Sequence, residues 1–246
     1  MEGNLLRLSI VIPCYNESKN IPFILERARS VIDRDDIEIV LVNNGSTDDS
    51  RLILDQNLPS CRVARVVEVE VNKGYGFGIL AGLAESRGEF LGWTHADMQT
   101  DLGDVVTAFD IIESRGRSPN IYVKGRRTGR SAFDTFFTVG MSVFESLYLS
   151  TPLWDINAQP NVFHRRFFKS WRNPPYDFSL DLFALYSARK QGLDIVRFPV
   201  RFPERIHGQS KWNTGPKAKW KFITRTLNFS VTLKRDLSRW SSLPIE

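Results

Sequence analysis

The sequence predicts an α/β fold, with a mostly parallel β-sheet covered by helices on both faces. Short apolar runs rich in β-branched residues alternate with segments whose apolar residues recur every three or four positions. Such alternation is typical of parallel sheets, because two parallel strands are joined by a long crossover that usually contains a helix. Polar residues follow the first, second and fourth apolar runs, at the strand ends where such sheets bind ligands.

The first elements illustrate how the pattern is interpreted. Residues 8–12 form a β-branched run that stops at Pro13, and residues 37–42 form a second run that stops at Asn43-Asn44-Gly45-Ser46. Between these strands, helix 20–30 carries Ile21, Ile24, Leu25 and Ala28 on one side.

The remaining elements follow from the same two periodicities. Strands are also expected over residues 63–71, 89–94, 121–123 and 194–202. Helices are also expected from Ser46 onward and over residues 76–85, 102–113, 132–149, 180–191 and 217–240. The start at Ser46 is predicted from a hydroxyl residue followed by early acids, a pattern typical of helix N-termini.

The chain has 246 residues, and no repeat, low-complexity tract or linker divides it. One domain of this size can bury a substantial core. We expect an α/β domain over residues 1–215, followed by a basic amphipathic C-terminal helix over residues 216–246.

Charge and cysteine content narrow the class of protein. The net charge of +5 suits an anionic partner such as a phosphorylated ligand or a membrane surface. No nucleic-acid-binding motif accompanies the charge, so we expect no nucleic acid as partner. Cys14 and Cys61 have no metal-site spacing, which favours a reduced, cytoplasmic protein. The sequence contains no signal peptide and no run of about 18 apolar residues, so we expect no transmembrane helix.

The segment Thr94-His95-Ala96-Asp97-Met98-Gln99 has the composition of a divalent-metal site. Mg²⁺ and Mn²⁺ prefer oxygen ligands, and Asp97 and Gln99 supply a carboxylate and an amide oxygen two residues apart. An extended backbone would project both side chains from one side. An Asp after a strand is equally a common turn or helix cap, so the prediction depends on the motifs around it.

Four motifs occur in order along the chain: Val11-Ile12-Pro13-Cys14-Tyr15-Asn16-Glu17, Val42-Asn43-Asn44-Gly45-Ser46-Thr47-Asp48, Asn72-Lys73-Gly74 and Asp97-Met98-Gln99. Together they resemble glycosyltransferase family 2 over nearly the whole chain. The resemblance implies a GT-A fold and an inverting transfer of a sugar from a nucleotide-diphosphate donor. It also implies a divalent cation, Mg²⁺ or Mn²⁺, held by Asp97 and Gln99.

Three later motifs resemble the polyprenyl-phosphate branch of that family, typified by dolichyl-phosphate mannose synthase. They are Gly125-Arg126-Arg127, Asp155-Ile156-Asn157-Ala158-Gln159-Pro160 and Arg205-Ile206-His207-Gly208-Gln209-Ser210-Lys211-Trp212. The resemblance implies a lipid-phosphate acceptor and a grip on phosphate oxygens by Arg127, Arg205, Ser210 and Lys211. Arginine suits this task because its planar fork bonds two oxygens at once.

The resemblance also assigns residues to the donor. It implies that Pro13, Tyr15, Asn16 and Glu17 surround the nucleoside, that Asn44 and Ser46 follow on the second loop, and that Lys73 and Gly74 approach the base or the diphosphate. For the first and third motifs the alternative is a loop that caps a helix or turns the chain.

Two departures from the family pattern bear on the donor. The second motif usually carries two aspartates where this chain has Asn43-Asn44, which leaves the choice between a UDP-sugar and a GDP-sugar open. The metal motif usually begins with an aspartate where this chain has His95, for which we expect a supporting or structural role rather than metal ligation.

Two acids are candidates on the acceptor side. A hydroxyl acceptor needs a carboxylate base within hydrogen-bond reach, whereas a phosphate acceptor is already ionised. We assign Asp155 to the acceptor or metal side, and Asp181 to the base or to acceptor orientation. Two alternatives remain open: a family 2 transferase that acts on a sugar hydroxyl of a glycan, and a non-catalytic module that binds nucleotide sugars.

The C-terminal third has the composition of a membrane-surface element. Aromatic residues interleave with lysines and arginines over residues 212–240, as in helices that lie among lipid headgroups. The Phe-rich segment 132–149 could form a second interfacial helix beside the site. We therefore expect a protein peripheral to the cytoplasmic face of a membrane; the alternatives are ordinary core packing, a solvated basic face or a dimer surface.

Overall fold

The structure, a computed structural model, describes residues 6–129, 132–203, 224 and 228–235, without the side chains of residues 132–138. Its strands are β1 Leu8–Cys14, β2 Ile37–Asn44, β3 Ala64–Val69, β4 Phe90–Trp93, β5 Ile121–Thr128, β6 Asn161–His164 and β7 Asp194–Arg201. Its helices include α1 Ile21–Val31, α2 Ser50–Asn57, α3 Tyr75–Glu85, α4 Gly103–Ser114, α5 Ala132–Tyr148, α6 Arg165–Lys169 and α7 Leu180–Lys190.

The strands form one seven-stranded sheet in the order β3-β2-β1-β4-β6-β5-β7. Strand β6 runs antiparallel to its neighbours β4 and β5, and the other pairs are parallel. The prediction of a mostly parallel sheet is confirmed. Because β1, β2 and β4 are parallel, their carboxyl ends meet at one edge, and the loops that follow them lie together.

Two hydrophobic cores cover the two faces of the sheet. On one face Ile10 and Ile12 of β1 pack with residues of α1, α2 and α4. On the other face Val11 packs with residues of α3, α6 and α7. Every residue of β2 is buried, which is the reason that the central strands are continuous apolar runs rather than alternating ones.

Most predicted elements are confirmed to within a few residues, two predictions need correction, and two short elements were not predicted. The helix predicted to start at Ser46 starts at Ser50 instead, because the Asp48 carboxylate accepts from the backbone N–H groups of Ser18 and Ser50 and holds residues 46–49 as a loop. Strand β5 continues to Thr128, so Gly125-Arg126-Arg127 lies within a strand. Strand β6 and helix α6 were not predicted, since four and five residues are too few to display a periodicity.

The predicted C-terminal helix over residues 217–240 lies mostly outside the described residues, as does the predicted boundary at residue 215. Residues 228–235 are described and helical. Leu233 of this segment is buried in the core that contains α7, and Lys234 donates to the Tyr148 carbonyl at 2.9 Å. In the part of the chain that the structure describes, no helix is long and apolar enough to cross a bilayer.

Candidate active site

The loops that follow β1 and β2 are joined by hydrogen bonds. The backbone N–H of Asn16 donates to Ser46 Oγ at 3.1 Å, and that of Thr47 donates to Asn16 Oδ1 at 2.8 Å. The N–H of Glu17 donates to Ser50 Oγ at 3.0 Å. The structure therefore brings together Asn16, Glu17 and Ser46, three of the residues predicted to contact the donor. Pro13 and Tyr15, also predicted, are half-buried at the same edge.

The side chains of Asn43 and Asn44 lie on different faces of the sheet. Asn44 is 2% exposed and donates through Nδ2 to the Gly74 carbonyl at 3.0 Å, beneath α3. Asn43 donates through Nδ2 to Glu68 Oε2 at 2.9 Å, and Arg51 of α2 pairs with Glu68 Oε1 at 2.6 Å. The predicted donor contact at Asn44 is thus a residue packed against α3, whereas Asn43, absent from the predicted binding set, belongs to a polar cluster with β3 and α2.

The predicted pair Lys73 and Gly74 lies at the start of α3. Gly74 has a φ of +125°, and a Cβ there would lie 2.3 Å from the Tyr176 carbonyl oxygen. The Lys73 ammonium lies 5.0 Å from the centroid of the Phe77 ring. A glycine is therefore required because the segment that precedes α7 crosses this turn at close range.

The loop after β4 turns at the predicted metal motif. Met98 has a φ of +59°, and the Gln99 N–H donates to Asp97 Oδ1 at 3.1 Å, so the expected extended backbone is wrong here. Gln99 donates through Nε2 to the Pro203 carbonyl at 3.0 Å, which makes Oε1 its oxygen-ligand atom. Among the described residues no three His, Cys, Asp or Glu side chains converge. The donors at hand, one carboxylate and one amide oxygen, fit a hard cation that also takes substrate phosphates as ligands.

Aromatic rings line the site between this loop and α7. His95 stacks on Tyr75 with ring centroids 5.4 Å apart, and Tyr75 stacks on Phe178 at 4.5 Å. Phe178 is 44% exposed and forms the open end of the stack. Burial, and then the charges of Asp181 and Asp97, raise the pKa of the Tyr75 hydroxyl well above 10. Tyr75 therefore lies within electrostatic reach of both carboxylates.

Arg127 and Asp155, both predicted, form a buried pair. The Asp155 carboxylate accepts from the Arg127 backbone N–H at 2.8 Å and from its Nε at 2.7 Å. Their side chains are 10% and 5% exposed. Burial opposes ionisation of Asp155, but the charge and hydrogen bonds of Arg127 outweigh it and hold the pKa of that carboxyl below its usual range. Asp155 thus orients the Arg127 guanidinium.

Asp181 lies in the first turn of α7 and is 1% exposed. Its Oδ1 accepts from Gln159 Nε2 at 2.7 Å, from Asn161 Nδ2 at 3.3 Å and from Trp93 Nε1 at 3.3 Å. Three N–H donors thus face one carboxylate oxygen. This arrangement stabilises a negative charge on that oxygen.

Several site residues were not predicted from the sequence: Asn43, Glu68, Tyr75, Trp93, Lys124, Gln159 and Asn161. The signals that could have identified some of them are a lysine inside a buried strand and the two amide residues that flank Pro160. The predicted residues Arg205, Ser210 and Lys211 lie outside the described residues, and their assignment stays a prediction.

Comparisons with known proteins give the family. The profile described as "Glycosyl transferase family 2" matches residues 9–172. The undecaprenyl-phosphate 4-deoxy-4-formamido-L-arabinose transferase of Pseudomonas fluorescens is 38% identical over 96 residues, which are 37% of this chain and 28% of that protein. A dolichyl-phosphate beta-glucosyltransferase of Trichomonas vaginalis is 26% identical over 212 residues, 80% of this chain and 66% of that protein. The first of these matches spans less than a third of the relative's length.

A solved structure supports the fold. Glucosyl-3-phosphoglycerate synthase from Mycobacterium tuberculosis, in complex with Mn²⁺, UDP and glucosyl-3-phosphoglycerate, has a TM-score of 0.69 and 19% identity, covering 93% of this chain and 79% of that one. At that identity the likeness shows the fold alone, and it confirms the predicted fold class. Because the family profile covers more than half of the sequence and the sheet carries the expected topology, the chain belongs to glycosyltransferase family 2.

Proposed function

We propose that this chain transfers a sugar from a nucleotide-diphosphate sugar to the phosphate of a lipid-linked acceptor at a membrane surface. The observation that carries the proposal is the approach of two predicted residues to Phe202-Pro203. The Arg127 guanidinium lies 5.3 Å from the centroid of the Phe202 ring, and Gln99 donates to the Pro203 carbonyl. Gln99, which is suited to a cation, and Arg127, which is suited to a phosphate, thus both lie against Phe202-Pro203.

The donor would bind across the joined loops of β1 and β2. Residues 13–17 and Ser46 supply backbone and side-chain groups for the nucleoside, as the family resemblance implies. Two solved structures with this fold contain UDP, one with Mn²⁺ and one with Mg²⁺, which supports a UDP-sugar as the first donor to test and a GDP-sugar as the alternative. Asn43, which donates to Glu68, is one of the polar side chains at this edge that depart from the family pattern.

A divalent cation fits Asp97 and Gln99. When bound, it would neutralise the charge that builds on the departing diphosphate. Among the described residues, Asp97 supplies a carboxylate, fixed by the Gln99 N–H, and Gln99 supplies an amide oxygen, because its Nε2 donates to the Pro203 carbonyl. Attack on the anomeric carbon from the face opposite the diphosphate would invert its configuration.

The acceptor phosphate would bind Arg127. Asp155 holds the guanidinium in one orientation, and a fixed planar fork favours a tetrahedral phosphate over a hydroxyl. An ionised phosphate needs no base, so Asp181, buried among donors, would orient the acceptor or the sugar rather than take a proton. The similar curated proteins are named for undecaprenyl phosphate and dolichyl phosphate, which supports a lipid phosphate as acceptor.

The membrane contact would lie on α5 and the helical segment 228–235. Val143, Phe144 and Leu147 share one face of α5 and are 50%, 42% and 77% exposed, and Val231 is 53% exposed. Lys234 stands beside this surface, with its ammonium 4.6 Å from the centroid of the Tyr148 ring. Exposed apolar side chains bordered by basic ones suit the headgroup region of an anionic leaflet.

The proposed reaction is tested by adding UDP-sugars and GDP-sugars to the purified protein with and without Mn²⁺, and then undecaprenyl phosphate. We expect one nucleotide sugar to raise the melting temperature only with the metal, since a ligand of the native state stabilises it. We further expect that sugar to appear on the lipid. Binding without transfer or slow donor hydrolysis would favour the non-catalytic alternative.

The membrane contact is tested separately by vesicle sedimentation. We expect Leu147→Glu to reduce binding to vesicles with 30% anionic lipid by roughly tenfold, because it places a charge in the apolar face and against the anionic surface. Leu52→Glu, at a 55% exposed leucine on α2, is the matched control and should bind like the wild type. Equal binding of both variants would contradict the proposed surface.

A further inference from the structure

Lys124 of β5 is a buried cation to which no role has been assigned so far. Lys124 is 0% exposed, and its Nζ donates to the Ala158 carbonyl and to Asn161 Oδ1, both at 2.6 Å. Within the described part of the chain it forms no ion pair. Burying an ammonium against neutral oxygens is costly, so the position calls for a physical reason.

The direction of the hydrogen bonds beyond Lys124 supplies that reason. An ammonium can only donate, so Asn161 must turn Oδ1 toward it. The Asn161 Nδ2 then faces the other way and donates to Gln159 Oε1 at 2.5 Å. Gln159, which accepts through Oε1, in turn directs Nε2 toward Asp181 Oδ1 at 2.7 Å.

Each amide in this hydrogen-bond network has two possible orientations. Only one of them suits both the Lys124 ammonium at one end and the Asp181 carboxylate at the other. With Asn161 and Gln159 reversed, Asn161 Nδ2 would face the Lys124 ammonium, donor against donor, and Gln159 Oε1 would face the Asp181 carboxylate, acceptor against acceptor. Tyr122 also bonds Asn161 Oδ1, at 2.9 Å, but a hydroxyl can donate or accept and does not select the orientation. The ammonium selects the orientation at its end of the network, as the Asp181 carboxylate does at the other end.

We propose that Lys124 is a positioning residue for the transfer reaction: through the oriented amides of Asn161 and Gln159 it directs N–H donors at Asp181. The inference rests on the proposed function, since it assigns Asp181 to the reacting substrates. It extends the site from the sheet edge to the interior of β5 and β6.

The groups around Lys124 place its titration near neutrality. Burial lowers the pKa of Lys124 to about 7; the carboxylates of Asp181 and Asp155 oppose this effect, and the guanidinium groups of Arg197 and Arg127 reinforce it. As the pH rises through about 7, the amine becomes able to accept a hydrogen bond and no longer enforces the amide orientation. Turnover should therefore fall on the alkaline side of neutrality.

The test uses two variants that interrupt the hydrogen-bond network at different points. Lys124→Met removes the ammonium and keeps the length of the side chain. Asn161→Asp keeps an acceptor for Lys124 but removes the Nδ2 donor. We expect each variant to bind UDP and Mn²⁺ like the wild type in calorimetry and to lower kcat by roughly 10- to 100-fold, as loss of an orienting partner does. The double variant should be no slower than the slower single variant, because both act on one network.

Two further measurements separate positioning from general damage. Ser187→Ala, at a buried α7 hydroxyl without a hydrogen-bond partner among the described residues, is the folding control and should retain wild-type kcat. Side-chain amide signals of Asn161 and Gln159 in ¹H–¹⁵N spectra should be protected from exchange in the wild type and in this control, and lose protection in Lys124→Met. If Lys124→Met does not fold, Asn161→Asp carries the kinetic test.

The outcomes decide the inference independently of the proposed function. Protected amide signals in Lys124→Met, or wild-type kcat in either variant, would overturn the role of Lys124. If the wild type turns over no nucleotide sugar, the proposed function fails, while the amide signals still report whether Lys124 orients Asn161 and Gln159.

Discussion

At the scale of single residues, the site depends on buried polar side chains whose orientation is set by hydrogen bonds. Asp155 is fixed by Arg127, Asp181 by three N–H donors, and Asn43 by Glu68. Buried polar groups of this kind are costly to leave unpaired, so replacing one partner has larger effects than replacing an exposed residue. This difference makes the assignments testable by matched pairs of variants.

Asp97→Asn tests the metal assignment. The change keeps the volume of the side chain but removes the charge that would attract a divalent cation. We expect transfer to fall by at least roughly 100-fold and the Mn²⁺-dependent rise in melting temperature with the nucleotide sugar to disappear.

Asp101→Asn, four residues further along the same loop, is its control. Asp101 pairs with Arg27 at the surface, at 2.9 Å with both side chains more than 40% exposed, and loss of such a pair costs about 0–1 kcal/mol. Metal-dependent stabilisation that survives in Asp97→Asn would contradict the assignment.

Asp155→Asn tests the buried pair through stability. Since it leaves Arg127 without its carboxylate, we expect a loss of about 3–5 kcal/mol at neutral pH in urea unfolding. The pKa of Asp155 is lowered in the folded state, so its stabilisation is present above the usual carboxyl value of 3.8 and is lost as the pH falls through the folded value.

The difference between wild type and Asp155→Asn should accordingly shrink in acid. The exposed helical pair Arg51–Asp55, with side chains 56% and 53% exposed, offers the control Asp55→Asn, for which we expect less than about 0.5 kcal/mol. A difference for Asp155→Asn that stays constant from neutral pH to pH 2 would exclude an ionised Asp155.

At the scale of elements, the site depends on how the start of α3 meets the segment before α7. The Phe77 N–H donates to the Tyr176 carbonyl at 3.0 Å, and Gly74 lets this segment approach. The contact carries the Tyr75 ring to its place between His95 and Phe178. In the proposed reaction, the position of α3 would therefore affect both the nucleotide side and the acceptor side of the site.

Gly74→Ala tests this contact. Its Cβ would lie 2.3 Å from the Tyr176 oxygen on a backbone that side chains rarely adopt, so we expect a loss of at least about 1–3 kcal/mol, seen as a lower melting temperature. Gly140→Ala in α5 is the contrast: no described atom lies within 4 Å of the added Cβ, and alanine favours a helix by about 1 kcal/mol. An unchanged melting temperature in Gly74→Ala would show that the segment before α7 can shift to accommodate the added methyl group.

At the scale of the whole molecule, the buried Lys124 couples stability to pH. Its pKa of about 7 in the folded protein lies below the ordinary 10.5, so between these values the unfolded chain binds more protons than the folded one. Stability should therefore rise with pH across this window, relative to a protein without Lys124.

The measurement is urea unfolding of the wild type and of Lys124→Met from pH 6 to pH 10. We expect the stability of the wild type relative to the variant to increase with pH, because other titrating groups contribute equally to both. A difference that does not change with pH would mean that Lys124 is as easily charged inside the protein as in water.

Much of this architecture was predictable because local patterns carry it. The apolar runs of β1 and β2, the helical spacing of α1 and the order of the motifs along the chain predicted the parallel sheet and the family, and both are confirmed. The same patterns placed ligand binding at one edge of the sheet, and that placement stays a prediction. These features depend on residues close together in the chain, where periodicity and turn chemistry operate.

The tertiary structure alone decided which side chains meet. Arg127 pairs with Asp155, and a line of hydrogen bonds runs from Lys124 through Asn161 and Gln159 to Asp181. These contacts join residues from β5, the loop before β6, β6 itself and α7, which periodicity cannot bring together. Strand β6, too short to be recognised, is the element that makes these contacts possible by lying between β4 and β5. Hydrogen-bond direction depends on distance and orientation in space, and for that reason the sequence predicts the edge at which the proposed reaction takes place but not the internal hydrogen-bond network behind that edge.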